Sequence, residues 1–238
     1  MRDSALWANR PGLVRSHTLT SATEPATDAA VVDLLGALAY GELTAFDRLA
    51  DDARLAPTLS GRAALAQMAA AEMGHFALLR NEIAARGGDP EAAMRPFVAA
   101  VDGFHESTRP GSWLEGLVKA YVGDGLAADF YREVATLLDP RTRQLVLDVL
   151  ADTGYAEFAV REVRAAIAAD PVVAGRLALW ARRLVGEALT QSQRVIGERD
   201  ALAEMIMAGT GDLAGIGALL KRITTAHARR MQALGLSA

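Results

Sequence analysis

Cysteine is absent from the 238 residues, which removes disulfides, thiolate metal sites, iron–sulfur clusters and thiol nucleophiles together. Any metal must then be held by carboxylates and by the four histidines. Lysine is nearly missing as well, occurring only at Lys119 and Lys221, so positive charge is carried by arginine. Aromatic residues make up 5% of the chain against 51% apolar residues overall, a balance that favours close-packed helices over sheets. The formal net charge of −4 argues against a protein dominated by phosphate-backbone binding and leaves room for a local basic patch. No uninterrupted apolar run reaches the roughly 18 to 20 residues of a membrane span, and the N-terminal segment lacks a signal-peptide apolar core. A soluble, cytoplasmic protein with no membrane partner is the expectation. There is no glycine-rich phosphate loop after a strand.

What the chain does contain is helix signals in succession. Residues 1–27 carry no sustained periodicity and read as an arm. A first long helix is expected from about Asp28 to about Ala56, and a second from Ser60 as N-cap to the stop at Gly87 and Gly88. Asp89 caps a short helix that Pro96 kinks or splits. Ser112-Trp-Leu-Glu115 is a capping-box pattern that opens a third long helix through about Leu138, with Glu115 as a capping residue. Asp139-Pro140 and Asp170-Pro171 repeat one device, an acidic cap followed by proline, and start helices four and five; Asp212 caps the last. The expected architecture is all-α, a bundle of four long helices plus two C-terminal helices in one domain over 28–238. Large apolar helix faces outside the four-helix core allow a homodimer, or are covered by the two C-terminal helices.

Three of these helices place a carboxylate on the apolar stripe. Glu42 has Leu35, Leu38, Ala39, Ala45, Phe46 and Leu49 at spacings of three, four and seven. Glu72 and His75 are flanked in the same way by Leu65, Met68, Phe76 and Leu79, and Asp124 by Leu117, Tyr121, Ala128 and Tyr131. A buried ionised carboxylate without a partner costs several kcal/mol, so such groups pair, protonate or bind a metal. A pair of divalent iron or manganese ions accounts for all three at once, since bundle proteins of this kind hold two metals with single glutamates and Glu-x-x-His motifs. Glu72-Met-Gly-His75 is one such motif, Glu42 precedes it by one helical return, and Asp124 opens the second half. The counterpart motif is incomplete: Glu157 is the best fourth-helix candidate, but Val160 stands where a second histidine would. Glu162 is a weaker alternative, and Tyr155 lies nearby.

GELTAFDRLADDA, AEMGHFALL, WLEGLVKAYVGDGLAADFYREVA, ADTGYAEF and LALWARRLVGEALTQSQRV resemble the ferritin-like superfamily. The branch they resemble is similar to the tRNA hydroxylases that oxidise an isopentenylated, methylthiolated adenosine beside the anticodon, with an uncharacterised hydroxylase-like subgroup nearest. The resemblance implies a di-iron centre that activates O₂ and hydroxylates an unactivated C–H bond, with an electron donor and, as substrate, a modified tRNA nucleoside. It implies Glu42, Glu72, His75, Asp124 and Glu157 as metal ligands for one or two ions, and beside them Tyr121 or Tyr155 is the expected group to orient a bound oxygen species.

Each residue also has a plainer reading. Glu42 can be a structural ion pair to an arginine, Asp124 can be hydrogen-bonded to Tyr121 or Tyr131, and Glu157 lies at the edge of its apolar stripe. His17 in the arm, His105 in a loop-like GFHEST stretch and His227 read as solvated or structural. The pairs Arg182–Arg183 and Arg229–Arg230 read as salt-bridge or helix C-terminal groups before they read as phosphate contacts. The competing class of function is a metal-free helical module that works by binding or oligomerisation, its inward acids paired with arginines or protonated. Iron storage is disfavoured because two complete half-sites are not present.

Overall fold

Apolar residues at spacings of three and four from Ala30 to Leu49 give the first helix a continuous face, and that face organises the rest of the fold. The computed structural model describes residues 28–151 and 154–238; the N-terminal arm expected from the sequence lies outside them. Helix α1 (Asp28–Asp52) ends in a 3-10 turn at Ala53–Leu55 and packs along α2 (Leu59–Ala85). By length and composition α1 is apolar enough to cross a membrane, contrary to the sequence expectation, but much of its surface is buried inside the bundle. The N-cap of α2 is Thr58 rather than Ser60: its hydroxyl accepts from the Gly61 N–H at 3.0 Å.

Helix α3 (Pro90–Met94), a 3-10 turn at Arg95–Phe97 and α4 (Val98–Ser107) follow, so Pro96 splits the segment as expected and His105 is helical, not in a loop. Helix α3 crosses α1 at Gly36, where an added Cβ would lie 2.2 Å from the Ala93 carbonyl oxygen. Helices α5 (Trp113–Lys119) and α6 (Gly125–Ala135) are the two halves of the expected third helix, joined by a π turn at Ala120–Asp124. Ser112 caps it, accepting from the Glu115 N–H, and Glu115 reaches back to the Gly111 N–H at 2.8 Å.

The fourth helix departs most from expectation. Instead of one rod, α7 (Pro140–Val149) and α8 (Tyr155–Ala169) are separate, and Gly154 sits at φ 90° at the start of α8. Helix five is also broken: α9 (Val172–Glu198) ends at Arg199, and α10 (Asp200–Thr210) starts there. Arg199 spans the break by a two-pronged ion pair to Asp33 of α1, a residue only 7% exposed. Helix α11 (Leu213–Leu234) is capped by Asp212 as expected, through the Gly215 N–H at 2.8 Å.

The apolar residues form two cores, one above the other along the bundle. One holds Leu34, Leu38, Leu79, Ile83, Val134, Val146 and Leu202. The other holds Leu49, Leu65, Met68, Leu117, Val122, Val163, Leu177 and Met231. Helices α1, α2 and α5–α6 each run through both, and between the cores each presents polar side chains: Glu42 on α1, Glu72 and His75 on α2, Asp124 and Tyr131 on α5–α6. Cohesion comes from the cores, and the level between them is polar.

Candidate metal centre

Glu42, Glu72 and His75 meet at this level. One ligand atom from each lies within 4.8 Å of the others. The His75 Nδ1 is 3.3 Å from Glu42 Oε2 and 3.3 Å from Glu72 Oε2. All three side chains are largely enclosed, at 12%, 20% and 17% exposure for Glu42, Glu72 and His75. Helical spacing explains the arrangement: Glu72 and His75 are three apart, so they project side by side from α2, and α1 returns antiparallel to deliver Glu42 opposite them.

The protonation states follow from enclosure. Burial, together with the neighbouring Glu72, pushes the Glu42 carboxyl up to about 8 despite the hydrogen bond to His75. His75 is raised to about 10 by its hydrogen bonds to the two carboxylates, against the opposing effect of burial. Glu72 is itself desolvated, but hydrogen bonds to His75 and Glu42 hold it below the usual glutamate range. At neutral pH the cluster therefore carries an imidazolium, one carboxylate and one carboxylic acid, a net charge near zero. Two carboxylates and an imidazole form a hard oxygen and nitrogen set suited to Fe(II) or Mn(II), and three protein ligands leave coordination positions open. The donor set fits such an ion.

Asp124, at the end of the π turn between α5 and α6, lies within electrostatic reach of Glu72. It keeps exposed surface, yet protein surrounds it closely enough that burial raises its carboxyl to about 7, with Glu72 raising it further and Lys119 lowering it. The π turn ends at Asp124, and such turns insert a residue that re-aims the side chains beside it. Asp124 is not within the tight group of three.

Three expected residues fall elsewhere. Glu157 is exposed in the first turn of α8 and lies outside the group of Glu42, Glu72 and His75. The cause is the break in the fourth helix, whose second half begins at the height of the lower core: Val160 packs there beside Ala159 and Val163. The histidine that Val160 replaces would point into apolar packing, not at Glu42. Tyr155, expected to orient oxygen, donates instead to the Leu117 carbonyl at 3.1 Å and feels Asp124 and Asp52, not the three ligands. Tyr121 packs against the lower core. The tyrosine that does feel Glu42 is Tyr131, whose hydroxyl is held well above its ordinary value by burial and by that carboxylate. Its position seven residues after Asp124 was the available signal, since both share a helix face.

Of the other histidines, His17 lies outside the described residues, and His105 and His227 take the structural rather than the solvated reading. His105 is enclosed, and burial depresses its imidazole to about 3. His227 is 9% exposed and also depressed, mainly by burial. Arg183 donates to the Ser107 carbonyl and Arg230 to Asp129 at 2.6 Å, so these arginines serve the fold.

A search of curated proteins returns no match to this chain. A family model described as "Ferritin-like domain, actinomycetes" matches residues 25–209, from the start of α1 through α10. The match covers most of the chain and every element that supplies the polar level between the cores: the protein belongs to this ferritin-like family.

Proposed function

We propose that the protein is an oxygen-dependent oxidoreductase that holds one divalent iron, or manganese, on Glu42, Glu72 and His75. The observation that carries the reading is the meeting of these three ligand atoms within 4.8 Å between two apolar cores. A bundle with no ligand to hold would gain stability by filling that level with leucine. A single ion accounts for the asymmetry better than two, because the fourth helix, among the described residues, brings no carboxylate or histidine to the group. Iron supplies redox chemistry with O₂ at this position when bound.

The chain's own contribution is positional and electrostatic. Glu42 and Glu72 compensate the charge of a divalent ion in a medium that water screens poorly. The antiparallel return of α2 fixes His75 against both carboxylates. Asp124, within electrostatic reach of Glu72 and with its carboxyl raised to about 7, can accept or return a proton beside the ion. Hydroxylation of a C–H bond by O₂ consumes two electrons and two protons and yields alcohol and water, so an external electron donor is required. A modified tRNA nucleoside is the substrate class that the sequence resemblance supports.

A second reading has its own observation: without metal the cluster satisfies itself, His75 hydrogen-bonded to both glutamates, as a binding or oligomerisation module would require. Elemental analysis after anaerobic Fe(II) reconstitution separates the two. The proposal expects close to one iron per chain, lost in His75→Ala; no iron in the parent protein would leave the helical module as the reading.

A further inference from the structure

At the end of α1 a second polar feature opens, one that the metal reading does not use. A cleft of about 460 Å³ lies between the C-terminal end of α1, the end of α4 and helix α5. On its walls are Arg48, Arg109 and Lys119, with His105 beside them. Asp51, also on the wall, is paired with Arg54, which leaves Asp52 facing the three cations.

Three polar atoms in this cleft are buried without a hydrogen-bond partner among the described residues: the donors Lys119 Nζ and Arg48 Nε, and His105 Nδ1, which donates or accepts according to its tautomer. Lys119 is the most telling, being one of two lysines in the chain and only 5% exposed. Its ammonium lies 5.4 Å from the centre of the Phe104 ring, a weak contact for a desolvated charge. A buried ammonium with no anion bonded to it is costly, and a buried donor left unmade costs as well. Three such groups converging on one opening are the inside of a site, with the ligand as the missing partner.

The geometry points to this cleft as a binding site for the phosphate group of a small molecule, with Lys119 at its floor and Arg48 and Arg109 on its walls. Three cations against Asp52 and against Asp124, which also acts on Lys119, keep a positive surplus, and the unmade donors on Lys119 and Arg48 suit the several oxygens of a phosphate group better than the two of a carboxylate. The volume suits a compact metabolite. A polyanion fits less well, because the chain's net charge is −4 and the ammonium is enclosed. The lining of the cleft shares no residue with the group Glu42, Glu72 and His75.

The test is a ³¹P NMR titration of inorganic phosphate and of glycerol phosphate into the chelator-treated full chain, at constant ionic strength. Metal-free protein keeps any iron–phosphate interaction out of the result. Saturable binding is expected, weakened about tenfold or more in Lys119→Met and several-fold in Arg109→Gln. Lys119→Met should retain or raise the melting temperature, because an unpartnered buried amine is replaced by an apolar side chain of similar length. Absence of binding in the parent protein, or unchanged affinity in both variants, would overturn the site. Tighter binding of a single-stranded oligonucleotide, lost in the same variants, would overturn the assignment to a small molecule.

Discussion

Metal binding at Glu42, Glu72 and His75 should be driven by pH to an unusual degree. A metal ligand must be deprotonated, and in the free cluster two of the three are not: the Glu42 carboxyl sits at about 8 and the His75 imidazole at about 10. Loading a divalent ion near neutral pH therefore expels two protons, one from each. Below about pH 8 the apparent association constant should rise about a hundredfold per pH unit, tenfold for each proton. Between pH 8 and pH 10 only His75 still competes, and the slope should fall to about tenfold per unit. The assay is Mn(II) titration calorimetry at pH 6.0, 6.5, 7.0 and 7.5, repeated in buffers of different ionisation enthalpy so that protons are counted directly. In Glu42→Gln the carboxyl proton is gone, so binding should be weaker overall and release one proton. An affinity that changes by less than about threefold between pH 6 and pH 7, with no proton release, would refute the reasoning.

The same shifts fix the sign of a stability effect. Glu42, His75 and Asp124 have folded-state pKa values above their ordinary ones, so between about pH 6 and 8 these groups bind more protons in the native state than in the unfolded chain, while above about pH 8 Lys119, lowered to about 8 by burial, opposes them. Metal-free protein should accordingly lose melting temperature as pH rises from 6 to 8, and Fe(II) or Mn(II) should reverse the trend; a rise for the metal-free form contradicts it. Arg199→Met leaves Asp33 buried without its partner, and chemical denaturation should show a loss of about 2 to 3 kcal/mol, reduced because the arginine is partly exposed. Gly36→Ala drives a Cβ into the Ala93 carbonyl and should cost about 1 to 3 kcal/mol by the same measurement. Glu157→Gln should leave metal content unchanged; loss of metal would return Glu157 to the ligand set.

The sequence disclosed the first half of the site because its ligands obey one local rule. Glu42 and the Glu72–His75 pair lie on uninterrupted helices, so spacing alone put them on the apolar stripe, and a buried carboxylate demands a reason. The second half was opaque because its geometry depends on two breaks that periodicity does not report. A π turn at Ala120–Asp124 shifts the register of the third helix, and a gap before Gly154 ends the fourth helix and starts it again lower down. Extrapolating one continuous rod from Asp139 placed Glu157 opposite Asp124, whereas the interrupted helix turns it to solvent. The cleft around Lys119 was hidden for a different reason: its cations come from α1, the loop after α4 and α5, and only the fold brings them together. The caps at Ser112, Asp139 and Asp212 were legible because each is written within four residues.

The most direct test of the account is an anomalous difference map at the iron edge, from crystals of the full chain grown anaerobically with Fe(II). The account predicts a peak bounded by Glu42, Glu72 and His75, at the level between the two apolar cores. A map with no peak there, or with iron held by other residues, would contradict it.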